Sequence, residues 1–366
     1  MMPVSVTLQG IGVAVPPGKL DQETATAVAQ ARCCITERER AWLRRIYRHS
    51  GIRQRGSVLI EPGHHAEGFE RFYPLPATAE ERGPTTATRI QRFVQEAAPL
   101  GERACRAAFE QAQATAASIT HLVTVSCTGM VSPGLDAQLI ERLGLSPDVG
   151  RLNLGFMGCH GALNGLRAAQ GLLQDSSPGR VLLCCVELCS LHFQYGWDMQ
   201  KIIANGLFAD GAGAVVLGGD EDGDQQGWQL VETRSRLAED SSEAMTWRVG
   251  DHGFEMTLSS EVPRRIRGAL RTWVEQWLAE HDLRLGDVRH WAIHPGGPEI
   301  LRAARQALAL PEQASHASET VLAEHGNMSS PTVLFVLERM RREGAAGPCV
   351  VLGFGPGLSF EAALLR

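Results

Sequence analysis

Three short stretches of this sequence each set one chemically capable side chain beside glycine at the end of an apolar run. In Gly158-Cys159-His160-Gly161, a cysteine sits between a strand-like and a helix-like segment. A thiol at a helix start faces unpaired backbone N–H groups and the positive end of the helix dipole, and both favour thiolate. In WAIHPGGP, Trp291 to Pro298, His294 closes an apolar strand at a Pro-Gly-Gly turn, a sheet edge where ligands bind. In EHGNMSSP, Glu324 to Pro331, Asn327 offers an amide N–H of the kind that stabilises an oxyanion. Taken singly, each has a plainer reading: a small buried cysteine, a core histidine held by backbone, a helix cap with Pro331 in the first turn. Taken together, they supply a nucleophile, a base and an amide donor.

The elements that must position them follow from hydrophobic periodicity. An N-terminal strand (Val4, Val6, Leu8) leads into a charged helical region from about Asp21 to His49, then a Gly/Pro-rich loop from about Glu61 to Pro84. His64-His65, inside that loop, reads as loop rather than ligand. Thr86 to Ala112 has helical spacing with an expected interruption near Pro99. SITHLVTVSC reads as a buried strand ending at Cys127, LDAQLIERLGL as a helix stopped near Gly144, and RLNLGF as a short strand ahead of the Cys159 turn. A helix, RVLLCCVELC and AGAVVLGG complete a first half, 1–220, and the acidic stretch Asp220 to Gln226 is the candidate boundary. The second half, 221–366, repeats the rhythm: strand, long amphipathic helix, the His294 strand, two helices around Asn327, and two closing strands about a glycine turn. Strands and helices alternating throughout imply an α/β layered fold, and two halves of similar rhythm suggest a duplicated unit.

Composition excludes several functions. A formal net charge of -6 offers no positive excess for nucleic acid. A local basic patch, Arg44 to Arg55, carries five arginines and one histidine and suits small anions. No apolar run approaches the roughly 20 residues that span a bilayer, and the N-terminus lacks a signal-peptide pattern, so a cytoplasmic protein is expected. Nine cysteines in apolar segments, without CxxC or zinc-site spacing, are expected to be reduced, with no metal bound.

Several motifs resemble the chalcone synthase and stilbene synthase family, the type III polyketide synthases. They are ITHLVTVSCTGMVSPGLDAQL (Ile119 to Leu139), MGCHGALNGLRAA around Cys159, ELCS and LFADGAGA (Glu187 to Ala214), IHPGGPEIL around His294, EHGNMSSPTVLFVLERM around Asn327, and the terminal GFGPGLSFE. HPGGP, GNMSS and GFGPGL together are specific to that family, and the likeness runs over nearly the whole chain. It implies the thiolase-like fold of two similar layered halves (αβαβα), usually a homodimer, with Cys159, His294 and Asn327 as the catalytic set.

The resemblance further implies acyl transfer from an acyl-CoA starter to Cys159, paired as thiolate with a His294 imidazolium. Decarboxylative extension with malonyl-CoA and ring closure would follow, with CoA thioesters as substrates and no metal or organic cofactor. Cys127 and Ser329 match cavity-lining positions, Met256 matches an aromatic gate of plant relatives, and Phe193, Tyr195 and Trp197 compete for a second gate. Arg45 and His49 match positions that contact CoA phosphates. His160 stands where plant relatives carry an aromatic residue, and Ser132 where they carry a methionine that crosses the dimer interface. Rivals are a third-class ketoacyl-acyl-carrier-protein synthase making one condensation and an inert thiolase-fold scaffold. A hydroxymethylglutaryl-CoA synthase lacks its glutamate-base motif here, and a nucleotide-binding protein its GxGxxG or phosphate loop.

Overall fold

The computed structural model describes residues 5–63, 66–175, 179–219 and 227–366. His64-His65 and the expected boundary Asp220 to Gln226 lie outside the described residues. The first half runs β1 (Val6–Ala14), β2 (Lys19–Asp21), α1 (Gln22–Cys33), α2 (Glu37–His49), β3 (Gln54–Gly56), α3 (Glu67–Phe72) and α4 (Thr86–Ala112). It continues with β4 (His121–Ser126), α5 (Leu135–Leu143), β5 (Gly150–Gly155), α6 (Gly161–Asp175), β6 (Arg180–Leu188), α7 (Met199–Leu207) and β7 (Asp210–Gly219). The second half is β8 (Trp228–Leu237), β9 (Met245–Gly250), β10 (Gly253–Leu258), α8 (Val262–Ala279), β11 (His290–Ile293), α9 (Pro298–Leu308), α10 (His316–His325), α11 (Thr332–Arg342), β12 (Cys349–Gly355) and β13 (Ser359–Leu365).

The principal sheet has strand order β11-β12-β13-β8-β1-β7-β6-β4-β5. Read outward from the β1–β8 seam, the halves match: β1-β7-β6-β4 and β8-β13-β12-β11 each pair antiparallel, antiparallel, then parallel. Helices α6 and α11 lie between the halves. α6 touches β4 and β6 on one side and β8 and β13 on the other, while α11 touches β1, β7 and β11. Both helices are therefore apolar on more than one face, as Leu163, Leu166, Val333, Phe335 and Leu337 show by their burial. α4 covers the outer face of the first half and α8 with α9 that of the second, each over its own apolar cluster. Helix, sheet, helix, sheet, helix is the expected thiolase-like layering.

Three details differ from the sequence reading. The charged region after β1 is two helices, because Thr36 and Glu39 form a reciprocal capping box that restarts the chain after Cys34. α4 continues through Pro99 without a break. Proline removes one backbone donor, yet Ala97, Ala98 and Leu100 on either side are buried, and tertiary packing holds the helix. A Cβ on Gly12 would lie 2.2 Å from Ala104 O, so β1 and α4 touch backbone to backbone. Finally, β9 and β10 form a separate hairpin, Gly253 pairing with Gly250, that carries Met256 toward the first half.

Candidate active site

The nucleophile candidate is held by its turn. β5 ends at Gly155, and the chain reverses through Phe156 and Gly158, whose φ values are +58° and +80°. A Cβ on Gly158 would stand 2.2 Å from Pro356 Cδ, so the terminal GFGPGL loop closes against it and only glycine fits. Phe156 adopts the left-handed region without glycine's freedom, a local strain of the sort found at functional sites. Cys159 follows, two residues before α6 begins, and is 6% exposed.

The Asn327 turn approaches from the other half. A Cβ on Gly161 would meet Ser330 Cβ at 3.3 Å, so the N-termini of α6 and α11 face one another across the site. Asn327 Oδ1 accepts from Ser329 N at 2.8 Å, which holds Ser329 at φ +59°. The Ser329 and Asn327 side chains both lie near enough to the Cys159 sulfur to favour its ionised form. Asn327 Nδ2 also donates to Gly296 O at 3.4 Å, two residues beyond His294. His294 itself is 1% exposed, and both its ring nitrogens are buried without a partner.

One cavity is lined by Cys127, Cys159, Phe193, Met256 and Ser329, five of the residues expected there. Cys127 Sγ accepts from Gly158 N at 3.0 Å, so the second thiol braces the turn of the first. Tyr195 and Trp197 are not among the described residues lining that cavity; Tyr195 donates its hydroxyl to Pro74 O. Phe208 does line it, and pairs with Asn327 by an isolated β-bridge, a ring the sequence reading did not single out. Trp247 and Phe254 from the hairpin add aromatic wall beside Met256, and Trp247 Nε1 donates to Cys127 O at 2.7 Å. Arg45 and His49 lie elsewhere: they are exposed on α2 and line a shallow basin with Ala41, Arg44 and Arg48. Tyr47, on the opposite face of the same helix, lines the cavity, so α2 separates basin from cavity.

The electrostatics correct one expectation. A helix-start thiol was expected as thiolate beside imidazolium. Burial instead pushes the Cys159 thiol up to about 11, the Ser329 and Asn327 hydrogen bonds opposing it and the nearby Glu187 charge adding to it. Burial, with His160 nearby, holds His294 down to about 3. Two helix N-termini do not outweigh the loss of water, and burial disfavours the charged form of each group taken alone.

Comparison with known proteins identifies the family. The family description "Chalcone and stilbene synthases, N-terminal domain" matches residues 4–221, and its C-terminal counterpart matches 229–366. The chain is 34% identical over 365 residues to 1,3,6,8-tetrahydroxynaphthalene synthase of Streptomyces peucetius subsp. caesius, covering 98% of this chain and 93% of that enzyme. It is 30% identical over 365 residues to the alpha-pyrone synthesis polyketide synthase-like Pks18 of Mycobacterium tuberculosis, covering 98% and 90%. Among solved structures, PKS-I from the brown alga Ectocarpus siliculosus superposes with a TM-score of 0.92 at 32% identity, covering 100% of this chain and 99% of that one. The type III polyketide synthase domain of Steely1 from Dictyostelium gives 0.89 at 27% identity, covering 99% of each. With both halves matched and the relatives spanned nearly end to end, the chain belongs to the chalcone and stilbene synthase family and is a type III polyketide synthase, an acyltransferase.

Proposed function

We propose that Cys159 receives a starter acyl group from its CoA thioester and that repeated malonyl-CoA extension, then cyclisation, yields an aromatic or pyrone product. The carrying observation is the thiol of Cys159 set against the Asn327 and Ser329 side chains, at the wall of a cavity where two helix N-termini meet. Neither Cys159 nor His294 ionises readily alone, because each lone charge would be buried. Formed together, thiolate and imidazolium offset one another, and the sulfur attacks as the proton leaves it. The starter's CoA departs as thiolate and takes that proton from His294.

Malonyl-CoA then binds with its thioester oxygen facing His294 and Asn327. The bond to its carboxylate breaks, CO2 leaves, and the electron pair becomes an enolate whose oxygen those two donors stabilise. The enolate carbon attacks the Cys159 thioester and releases the sulfur, giving a chain two carbons longer. These steps call for no metal or organic cofactor.

The basin of Arg44, Arg45, Arg48 and His49 is proposed as the CoA phosphate site, outside the cavity wall that α2 forms. The partner is proposed to be a second copy of the chain. β5 is the open edge of the principal sheet, and Leu152 on it, Met157 just after it, and Met130 and Val131 in the loop after β4 leave apolar surface exposed. A cytoplasmic location suits nine free thiols, and among the described residues no helix is long and apolar enough to cross a membrane.

The test is mass spectrometry of products after incubation with malonyl-CoA and starters of graded length. A cyclised product carrying two or more added units supports the reading. A single extension in every case would overturn it in favour of a one-condensation enzyme.

A further inference from the structure

His160, the residue after the nucleophile, has no part in the steps above, yet its ring is 2% exposed and its protonation is fixed from a distance. The Glu361 carboxylate pairs with Arg167 and receives Ser235 Oγ at 2.6 Å and Asn164 Nδ2 at 3.2 Å. A carboxylate only accepts, so the Asn164 amide turns its NH2 to Glu361 and its oxygen to His160. That oxygen lies 2.7 Å from His160 Nδ1 and also only accepts, so Nδ1 carries the hydrogen. Nε2 of the neutral ring is then a bare lone pair, buried without a partner.

The sheet register places the His160 ring on the same face as His294, with its Cβ over Gly353 and its Nε2 over Gly355. A Cβ on Gly353 would stand 2.9 Å from His160 Cβ, and one on Gly355 would stand 2.8 Å from His160 Nε2, so the ring lies flat on β12. Ile293 pairs with Leu352, and His294 N donates to Leu352 O at 2.8 Å, which sets His294 level with Gly353 on the adjoining strand. Ala292 and Val351 face the central core, and Ile293 and Leu352 face the outer one. Alternation returns His294 to the central face, the face His160 covers.

We propose that His160 is a positioning residue for His294: its bare Nε2 is linked through one water to an N–H of the His294 ring. It thereby steadies the imidazolium formed when Cys159 loses its proton. This rests on the reading of Cys159 and His294 as thiol and base. The charged or titratable groups around the two rings are Glu361, Arg167 and Cys159, with Glu187 beyond the thiol. Burial keeps the His160 imidazole below its ordinary range, hence neutral and able to accept.

The experiment is the pH dependence of iodoacetamide labelling at Cys159, read by peptide mass spectrometry on the full chain and on His160→Gln, His160→Asn and His160→Phe. Gln offers an acceptor where Nε2 stood, whereas Asn keeps only the link to Asn164 and Phe keeps only the ring volume. Expected is a near wild-type profile for Gln and an inflection raised by about one pH unit for Asn and Phe, or about tenfold slower labelling below it. Superimposable Gln and Asn profiles overturn the proposal, and that pair decides even where the Phe variant fails to fold. A wild-type profile that moves as expected in a protein yielding no polyketide would sink the proposed function and leave this inference standing.

Discussion

Replacing Glu187 with glutamine should stabilise the protein above neutral pH and flatten its pH dependence. Glu187 ends β6 with 0% exposure. One carboxylate oxygen receives Cys127 N and Thr128 Oγ1, both at 2.9 Å, and the other receives Ser330 Oγ at 2.6 Å. These partners are hydroxyls and a backbone N–H, not a cation, so burial prevails and lifts the group from 4.5 to about 7. The folded protein therefore binds a proton more tightly than the unfolded chain. The resulting stability is complete below about pH 4.5 and is lost as pH rises through about 7. A displacement of roughly 2.5 pH units at about 1.36 kcal/mol each gives about 3.4 kcal/mol. At an unfolding entropy of about 2.1 cal/mol/K per residue, a chain of this length turns that into roughly 4 °C of melting temperature. Glutamine retains a carbonyl oxygen for the Cys127 and Thr128 donors, and the Ser330 hydroxyl can rotate to accept its NH2. Thermal melts at one scan rate, at about pH 5 and about pH 8.5, decide it. The wild-type melting temperature should fall by about 4 °C more than that of Glu187→Gln between them. Parallel curves, or a variant that melts lower at the alkaline end, would refute the reasoning. The same change removes a negative charge that raises the Cys159 thiol, so its alkylation inflection should move to lower pH.

Asn327→Ala should lower the turnover of condensation by about 10²–10³ while Cys159 still takes up iodoacetamide, seen by pairing a malonyl-CoA assay with peptide mapping. Trp247→Ala removes a wall residue beside Cys127 and should extend the range of accepted starters, read as heavier products; an unchanged product set would place Trp247 outside the acyl path. Arg45→Ala combined with His49→Ala should raise KM for CoA thioesters several-fold with kcat nearly kept, and added salt should narrow the gap from wild type. Leu152→Arg should turn a dimer into a monomer by light scattering; a dimer that persists would put the interface elsewhere.

The residues of chemical interest were legible wherever a local signal existed. Glycines flank Cys159, His294 and Asn327 because each sits in a turn, after β5, β11 and α10 respectively, and that punctuation is written in adjacent residues. What escaped depends on partners far along the chain. Phe208 looks like any apolar residue before a strand until its bridge to Asn327 is seen. Tyr195 and Trp197 looked equivalent to Phe193, and only packing separates them: Tyr195 is taken up by Pro74, whereas Phe193 faces the cavity. The upward pull of burial on the Cys159 thiol was hidden for a related reason. A helix start is visible in sequence, but the depth of its burial is a property of all five layers.

Matching the halves shows why these stretches meet. β4 and β11 hold the same place in their halves, and the first residue after each is Cys127 and His294. α6 and α11 likewise correspond, each entering the strand next inward, and Cys159 and Ser330 both stand two residues before their helix. A two-fold relation through the central helices therefore brings four loops to one place, two from each half. At this place the halves differ in what those loops carry: two thiols on one side, an imidazole and a carboxamide on the other. Glu187 spans the seam, bound by Cys127 and Thr128 of one half and by Ser330 of the other. Hydrogen bonds at the site itself thus join the halves, alongside the apolar cluster they share. A change that loosens the seam should for that reason disturb the chemistry before it disturbs the fold.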